Sequence, residues 1–408
     1  MPEDIRAYEP IVGKAAIEEL VLLAKCLKGK KIQNVNSTAT GGGVAEILSH
    51  IIPLLQNLGV EVSWIVMKGN ERFFQVTKKI HNALHGQKTR LSKKEIDIYL
   101  EVNKQNLKEL PLGADVLFIH DPQPAALIEK KNKLSSKWIW RCHIDLSNPN
   151  RAVWGFLRPF IEKYNAAVFS ESSFCQNLKI REFLISPSID PLSEKNRELT
   201  RVEILSVLKK YDLPYDRPLI TQISRFDRLK DPIGVIEVFK LVRKYVDCDL
   251  VLGGSHAADD PESGEVLAEV RNMAKGDERI HILVIDPETN DFDVNALQRA
   301  SSVILQKSIR EGFALTVTEA LWKAKPVVAS AVGGIPLQIA HKYNGLLTYS
   351  IDGAAFLVRQ LLNSPEYATR LGLNGKEHVK NNFLITRHIR QYLLLFLALY
   401  HKSDIVYL

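Results

Sequence analysis

Short apolar runs alternate with amphipathic stretches along the whole chain. In the first half the runs are Lys30–Ser37, Val60–Met67, Ala114–His120, Lys137–Cys142 and Ala166–Ser170. Each is short enough for a buried strand and too short for a buried helix. Between the first two, Ile47, Leu48, Ile51, Leu54, Leu55 and Leu58 recur at helical spacing, and Gly59 follows as a stop signal, so Val44–Leu58 reads as a helix. The pattern restarts with strands at Arg217–Ser224, Cys248–Gly254, Arg279–Ile285, Ser301–Gln306 and Lys325–Ser330. Strands separated by helices imply βαβ units and parallel sheets.

The two series are separated by Ile185–Asn196, where Pro187, Pro191 and polar neighbours interrupt the pattern. The fold class expected is therefore α/β, with two Rossmann-like domains in tandem. Residues 1–190 make the first and 191–385 the second. The apolar C-terminal stretch, 386–408, is expected to pack back on the first.

Composition adds little to this picture but excludes several classes. A chain of 408 residues with 46% hydrophobic and 25% charged residues has the proportions of a globular protein. The net charge of +7 is spread without a block of like charges, and no basic stretch is interleaved with aromatics. A nucleic-acid partner is not expected. The longest apolar run, Tyr392–Tyr400, falls far short of the ~20 residues that span a bilayer. The first ten residues lack the basic and apolar regions of a signal peptide, and the four cysteines form no CxxC pair. A cytoplasmic protein that works without a membrane is expected, and a homodimer is compatible with the sequence.

The densest chemistry lies in the second half. Arg225 and Lys230 sit just past a strand end, where ligands of open parallel sheets bind. An arginine fork and a lysine point charge together match a diphosphate. A second strand-end loop, Ser308–Ala314, leads into a helix whose first amides, at Leu315 and Thr316, offer donors to the same phosphates. Glu311 and Glu319 flank that helix start. Carboxylates repel phosphates but accept hydrogen bonds from sugar hydroxyls, so Glu319 suits a ribose and Glu311 a second sugar.

In the first half "TGGGVAE", Thr40–Glu46, is a glycine-rich strand-to-helix turn. It lacks the GxGxxG spacing of a dinucleotide site, so NAD is not expected. Gly41, Gly42 and Gly43 still allow close approach of backbone to a phosphate or sugar. His143 and Asp145 would share a face if their strand continued, and Asp121 and Gln123 follow another strand end. "DCD" (Asp247–Asp249) and "DFD" (Asp291–Asp293) imitate a metal-binding DxD, but one precedes its strand and the other lies in a polar loop. No metal and no cofactor is expected.

Arg225–x4–Lys230, Glu311–x7–Glu319 and the following "VGGIP" (Val332–Pro336), in that order, resemble the family 4 retaining glycosyltransferases. The resemblance implies the GT-B fold, in which two parallel sheets face a central cleft. It also implies a sugar contact for Glu311, a ribose contact for Glu319, and diphosphate contacts for Arg225, Lys230, Leu315, Thr316, Gly42 and Gly43. His143 would meet the donor sugar, and Asp121, Gln123, Asp145 and Gly41 the acceptor. "VNSTATGGGVAEIL", "HDPQPAALIE" and "WRCHIDLSNPN" narrow the likeness to the trehalose glycosyltransferring synthases. These join the glucose of a nucleoside-diphosphate glucose (ADP- or UDP-glucose) to free glucose, reversibly and by front-face substitution. Ala314 stands where the wider family commonly has Gly, and Leu337 where it often has Glu. A retaining trehalose phosphorylase, or a relative with another sugar acceptor, remains the alternative. A silent sugar-nucleotide sensor and a nucleotide-sugar epimerase are more distant ones.

Overall fold

The computed structural model describes residues 4–39, 43–254, 261–285 and 290–400. The chain forms two compact units. One is Ile189–Leu384; the other joins the residues before Ile189 to those from Ile385 onward.

The N-terminal unit carries a six-stranded, wholly parallel sheet made of β1 (Lys31–Asn36), β2 (Glu61–Val66), β3 (Val116–His120), β4 (Lys137–Arg141), β5 (Ala166–Phe169) and β6 (Arg181–Leu184). Their order is β2-β1-β3-β4-β5-β6. The central strands are buried on both faces, which is why they read as unbroken apolar runs. Trp140 packs on Trp154 and Phe169 on one face. On the other, Phe118 meets Tyr392 and Phe396 of the helix Ile385–Ala398 edge to face. That helix also lies against Lys14–Lys25 and Gly43–Asn57. Arg387 ties its start to the carbonyls of Ser186 and Pro187, each at 2.8 Å.

The second unit repeats the plan with β7 (Leu219–Ile223), β8 (Asp249–Gly254), β9 (Ile280–Val284), β10 (Val303–Gln306), β11 (Val327–Ser330) and β12 (Leu346–Thr348), again all parallel. The order is β12-β11-β10-β7-β8-β9. Two strands, β6 and β12, are additions to the pattern read from sequence, and both lie at sheet edges.

Strand order decides where ligands can bind. In an open parallel sheet the crevice opens at the carboxyl ends of two neighbouring strands whose connections run in opposite directions. In the second unit those strands are β7 and β10; in the first they are β1 and β3. Arg225 and Lys230 follow β7, and Glu311 follows β10. The glycine-rich turn follows β1, and Asp121 and Gln123 follow β3.

Candidate active site

The loop after β7 is shaped by two aspartates. Asp227 caps the short 3-10 turn Arg228–Lys230 by accepting from the Leu229 amide at 2.7 Å. Asp231 adopts a left-handed backbone, φ 50°, and caps the helix Pro232–Arg243 through the Gly234 amide. Gln222 on β7 donates to the Lys230 carbonyl at 2.9 Å, and Ile309 donates to Leu229. Lys307 donates to Asp231 at 2.5 Å. The loops after β7 and β10 are thereby tied together.

Between them Lys230 Nζ lies 2.5 Å from Glu311 Oε2, and Ser308 Oγ donates to the same oxygen at 3.0 Å. Gln306, the last residue of β10, donates to Ser308 at 3.0 Å. The Glu311 carboxylate is largely buried, so its charge depends on these two donors. Arg225 is more open, with its guanidinium 3.5 Å from Asp227.

The helix Leu315–Trp322 starts directly after this loop. Its first residues, Leu315 and Thr316, are half-buried, and no side chain caps its N-terminus. Ala314 precedes it with φ 71°, a left-handed conformation that glycine adopts without penalty. Gln338 holds the approach, donating to the Phe313 carbonyl and, at 3.4 Å, to that of Ala314. Gln338 in turn accepts from Thr318 at 2.7 Å. Gly333 closes the other side: a Cβ there would fall 1.6 Å from the Glu311 carbonyl oxygen. Glu319 is buried in the second turn of the helix, with Gln298 Nε2 3.5 Å from its Oε2. Lys323, one turn on, is also buried and reaches Asn196 at 2.9 Å. Burial pulls its amine down to about 7, against the pull of the Glu319 charge.

In the N-terminal unit Gly43 is the first residue of its helix; Gly41 and Gly42 lie outside the described residues. Asp121 takes a left-handed backbone, φ 64°, directly after β3. Its carboxylate accepts from the His143 amide at 2.8 Å. Burial pushes the Asp121 carboxyl up to about 7, while that amide and Arg141 pull the other way. His143 is half-buried, with Nε2 3.2 Å from Nδ1 of the buried His120. The expected shared face of His143 and Asp145 is corrected by the strand boundary: β4 ends at Arg141. Asp145 turns back into its own loop, where it accepts from the Ser147 amide at 2.9 Å. Gln123 is half-buried, and its Oε1 is buried without a hydrogen-bond donor.

The two DxD look-alikes are engaged by cations. Asp249 pairs with Arg279 and His281, each at 2.8 Å, and Asp247 with Arg279 at 3.1 Å. Asp293 accepts from Lys210 and Tyr211, and Asp291 pairs with Lys195. Among the described residues no group of three or more His, Cys, Asp or Glu is arranged to hold a metal ion. No helix among them is long and apolar enough to cross a membrane.

Several residues of this architecture escaped the reading of the sequence: Gln338, Gly333, Lys323, Ser308, Gln306 and the pair Asn34–His120. The double glycine of "VGGIP" and the histidine closing the run "VLFIH" were the available signals.

Comparison with known proteins gives consistent answers for the whole chain. Residues 34–176 match the family model described as trehalose synthase, N-terminal domain, and residues 206–378 match glycosyl transferases group 1. A trehalose synthase of Thermococcus litoralis is 46% identical over 391 residues, covering 95% of each chain. One of Rubrobacter xylanophilus is 43% identical, covering 96% of each. A trehalose phosphorylase of Pleurotus pulmonarius is 29% identical over 86% of this chain, which spans 55% of that protein. Among solved structures, a trehalose-6-phosphate synthase superposes with a TM-score of 0.73 at 15% identity, covering 92% of this chain and all of that one. The sucrose-phosphate synthase of Thermosynechococcus elongatus gives 0.71 at 17%, with the same coverage. These structural likenesses establish the GT-B fold. With relatives at 43–46% identity that match over 95–96% of both chains, this chain belongs to the trehalose synthase family of glycosyltransferases.

Proposed function

We propose that the chain transfers glucose, with retention, from a nucleoside-diphosphate glucose to free glucose, making trehalose reversibly. The observation that carries this reading is the composite at the β7/β10 crevice. There Lys230 and the Ser308 hydroxyl meet on Glu311, beside a helix start without a side-chain cap. Such a place offers positive potential to phosphate and a carboxylate to a sugar hydroxyl within a few ångströms.

In this mechanism Arg225, Lys230 and the amides of Leu315 and Thr316 take the diphosphate. They stabilise the charge that grows as the bond from the anomeric carbon to the diphosphate oxygen breaks. Gly42 and Gly43 let backbone approach the same phosphates. The acceptor hydroxyl attacks the anomeric carbon from the face the diphosphate leaves, and its proton passes to a leaving diphosphate oxygen. Glu311 and His143 orient the transferred glucose, while Glu319 accepts from the ribose. Asp121, Gln123, Asp145 and Gly41 receive the acceptor glucose. Charge neutralisation comes from the protein's own cations and amides, so turnover is expected to survive a chelator.

The phosphorylase relative keeps a second reading in view, in which phosphate replaces the nucleotide. Glu319 favours the nucleotide, because a phosphorolytic site has no ribose for it to hold. Product analysis separates the two. Free glucose is supplied with ADP-glucose or with UDP-glucose, each with chelator, and trehalose is supplied separately with inorganic phosphate. Trehalose from either nucleotide sugar supports the proposal and names the base. Glucose 1-phosphate from trehalose and phosphate, with no disaccharide in the other arms, overturns it.

A further inference from the structure

A chain of three side chains runs behind His143. Asn34, on β1, is buried between neighbouring strands. Its Nδ2 points to the Ser63 carbonyl at 3.5 Å, and its Oδ1 lies 3.0 Å from Nε2 of His120 at the end of β3. Turning the amide over would set two carbonyl oxygens against each other, so Asn34 offers an acceptor to His120. His120 must then carry its hydrogen on Nε2. Burial, and next the positive Arg141, hold His120 neutral, with its pKa down to about 3. A neutral imidazole has one N–H, so His120 Nδ1 is a bare acceptor. It faces Nε2 of His143 at 3.2 Å, which must therefore be the protonated nitrogen of that ring. Burial together with Arg141, His120 and His388 holds His143 neutral as well. Every ring hydrogen in the relay is assigned by the group behind it.

We propose that Asn34 and His120 are positioning residues that lock His143 in the Nε2–H tautomer, so that its Nδ1 accepts a hydrogen bond from a sugar hydroxyl. His143 Nδ1 has no hydrogen-bond partner among the described residues. In this state the ring cannot donate to a phosphate oxygen from Nδ1; it can only accept from an O–H or N–H. The group it meets is thus a donor, such as a sugar hydroxyl, and not an anion. The inference rests on the sugar-contact role given to His143 above, and it adds the direction of that hydrogen bond and the residues that set it. The charged and titratable groups around the relay are Arg141 on β4, Asp121 after β3, and Arg387, His388 and Tyr392 from the C-terminal helix. None of them displaces Asn34 as the group that faces His120 Nε2.

The test reads the tautomer directly. In the full chain labelled with 15N-histidine, long-range proton–nitrogen correlation at neutral pH separates protonated from bare ring nitrogens, and the His143→Ala spectrum assigns the signal. A bare Nδ1 and a protonated Nε2 on His143 are expected. A protonated Nδ1, or an imidazolium, overturns the proposal. Asn34→Leu removes the first acceptor without touching His143. It is expected to give a mixture of His143 tautomers and to lower kcat about 10–100-fold with KM for the donor little changed, by analogy with loss of the hydrogen-bond partner behind a metal-bound histidine. A lowered kcat with the tautomer unmoved would show that Asn34 acts by another route, and the lock would fall. If the tautomer is as stated but His143→Ala turns over normally, the sugar contact falls and the relay stands. The two failures are therefore told apart.

Discussion

A Cβ added at Gly333 has less room than at any other described glycine, which yields a sharp expectation for Gly333→Ala. The residue sits at φ 53°, and an added Cβ would lie 1.6 Å from the Glu311 carbonyl oxygen and 2.7 Å from its carbonyl carbon. Real Cβ contacts begin at 3.0 Å, so one backbone must retreat by 3.0 − 1.6 = 1.4 Å. Neither atom in the clash is the end of a flexible side chain. A shift of that size carries Glu311 away from Lys230, now 2.5 Å distant, and from Ser308 at 3.0 Å. A left-handed alanine adds about 1–2 kcal/mol and the overpacking about 1–3, so the loss of stability is about 2–5 kcal/mol. For a unit of this size that lowers Tm by about 4–20 °C. A displacement of about 1 Å at reacting groups can cost 10²-fold in rate, and kcat should fall by at least about that factor. The assay pairs a melting curve with steady-state glucosyl transfer at temperatures where the variant is still folded. An unchanged Tm with kcat close to that of the unaltered chain would refute the claim that this turn holds Glu311 in place.

Other substitutions probe the same architecture from different sides. Ala314→Gly relieves a left-handed alanine at φ 71° but loosens the unfolded chain by about 0.4–1 kcal/mol, so melting should show a small net stabilisation with activity retained; a clear drop in Tm would contradict the strain. Glu311→Gln keeps the shape and removes the charge, and turnover should fall by about 10²-fold or more, by analogy with loss of a key electrostatic group; near-normal kcat removes Glu311 from the chemistry. Lys230→Ala leaves the Glu311 carboxylate without its cation and should weaken nucleotide binding by about 1.5–3 kcal/mol, the worth of one charged hydrogen bond; unchanged affinity by calorimetry refutes the phosphate role. The Asp121 carboxyl is raised to about 7 by burial, so the folded chain holds a proton there that the unfolded chain releases near its ordinary 3.8. Its contribution is most favourable below 3.8 and is lost as pH rises to about 7. Asp121→Asn, which can still accept from the His143 amide, should therefore gain stability relative to the parent across that window in denaturant titrations; a constant difference would mean the carboxyl is not perturbed.

Ten of the twelve strands among the described residues were visible as apolar runs; the central ones are buried on both faces by flanking helices and have no polar side to alternate with. The two that were missed explain themselves. Arg181–Leu184 has exposed residues at both ends, and Leu346–Thr348 is only three residues long. Each is an edge strand of only three or four residues, too short or too lightly covered for a run to stand out. The candidate site divides in the same way. Arg225, Lys230, Glu311 and Glu319 could be picked out because their spacing is local and each pair lies on one loop or one helix start. Gln338 supports Phe313 from 25 residues away, and Asn34 meets His120 across 86. Such partners are joined by strand order, and no spacing along the chain announces them.

Gln338, Gly333, Ser308 and Gln306 share one physical task. A carboxylate and a lysine beside a bare helix end attract one another, and neutral groups are needed to hold them at fixed positions. Gln338 occupies the carbonyls of Phe313 and Ala314, so the backbone enters the helix in the left-handed step that Ala314 must tolerate. Gly333, which has no Cβ to clash with the Glu311 carbonyl, lets the two loops run this close together. Ser308, held by Gln306, donates to the Glu311 carboxylate. The four act on backbone or through neutral hydrogen bonds. They can set the geometry of the charges without adding to the field a diphosphate would meet, and electrostatic preorganisation demands that separation of labour.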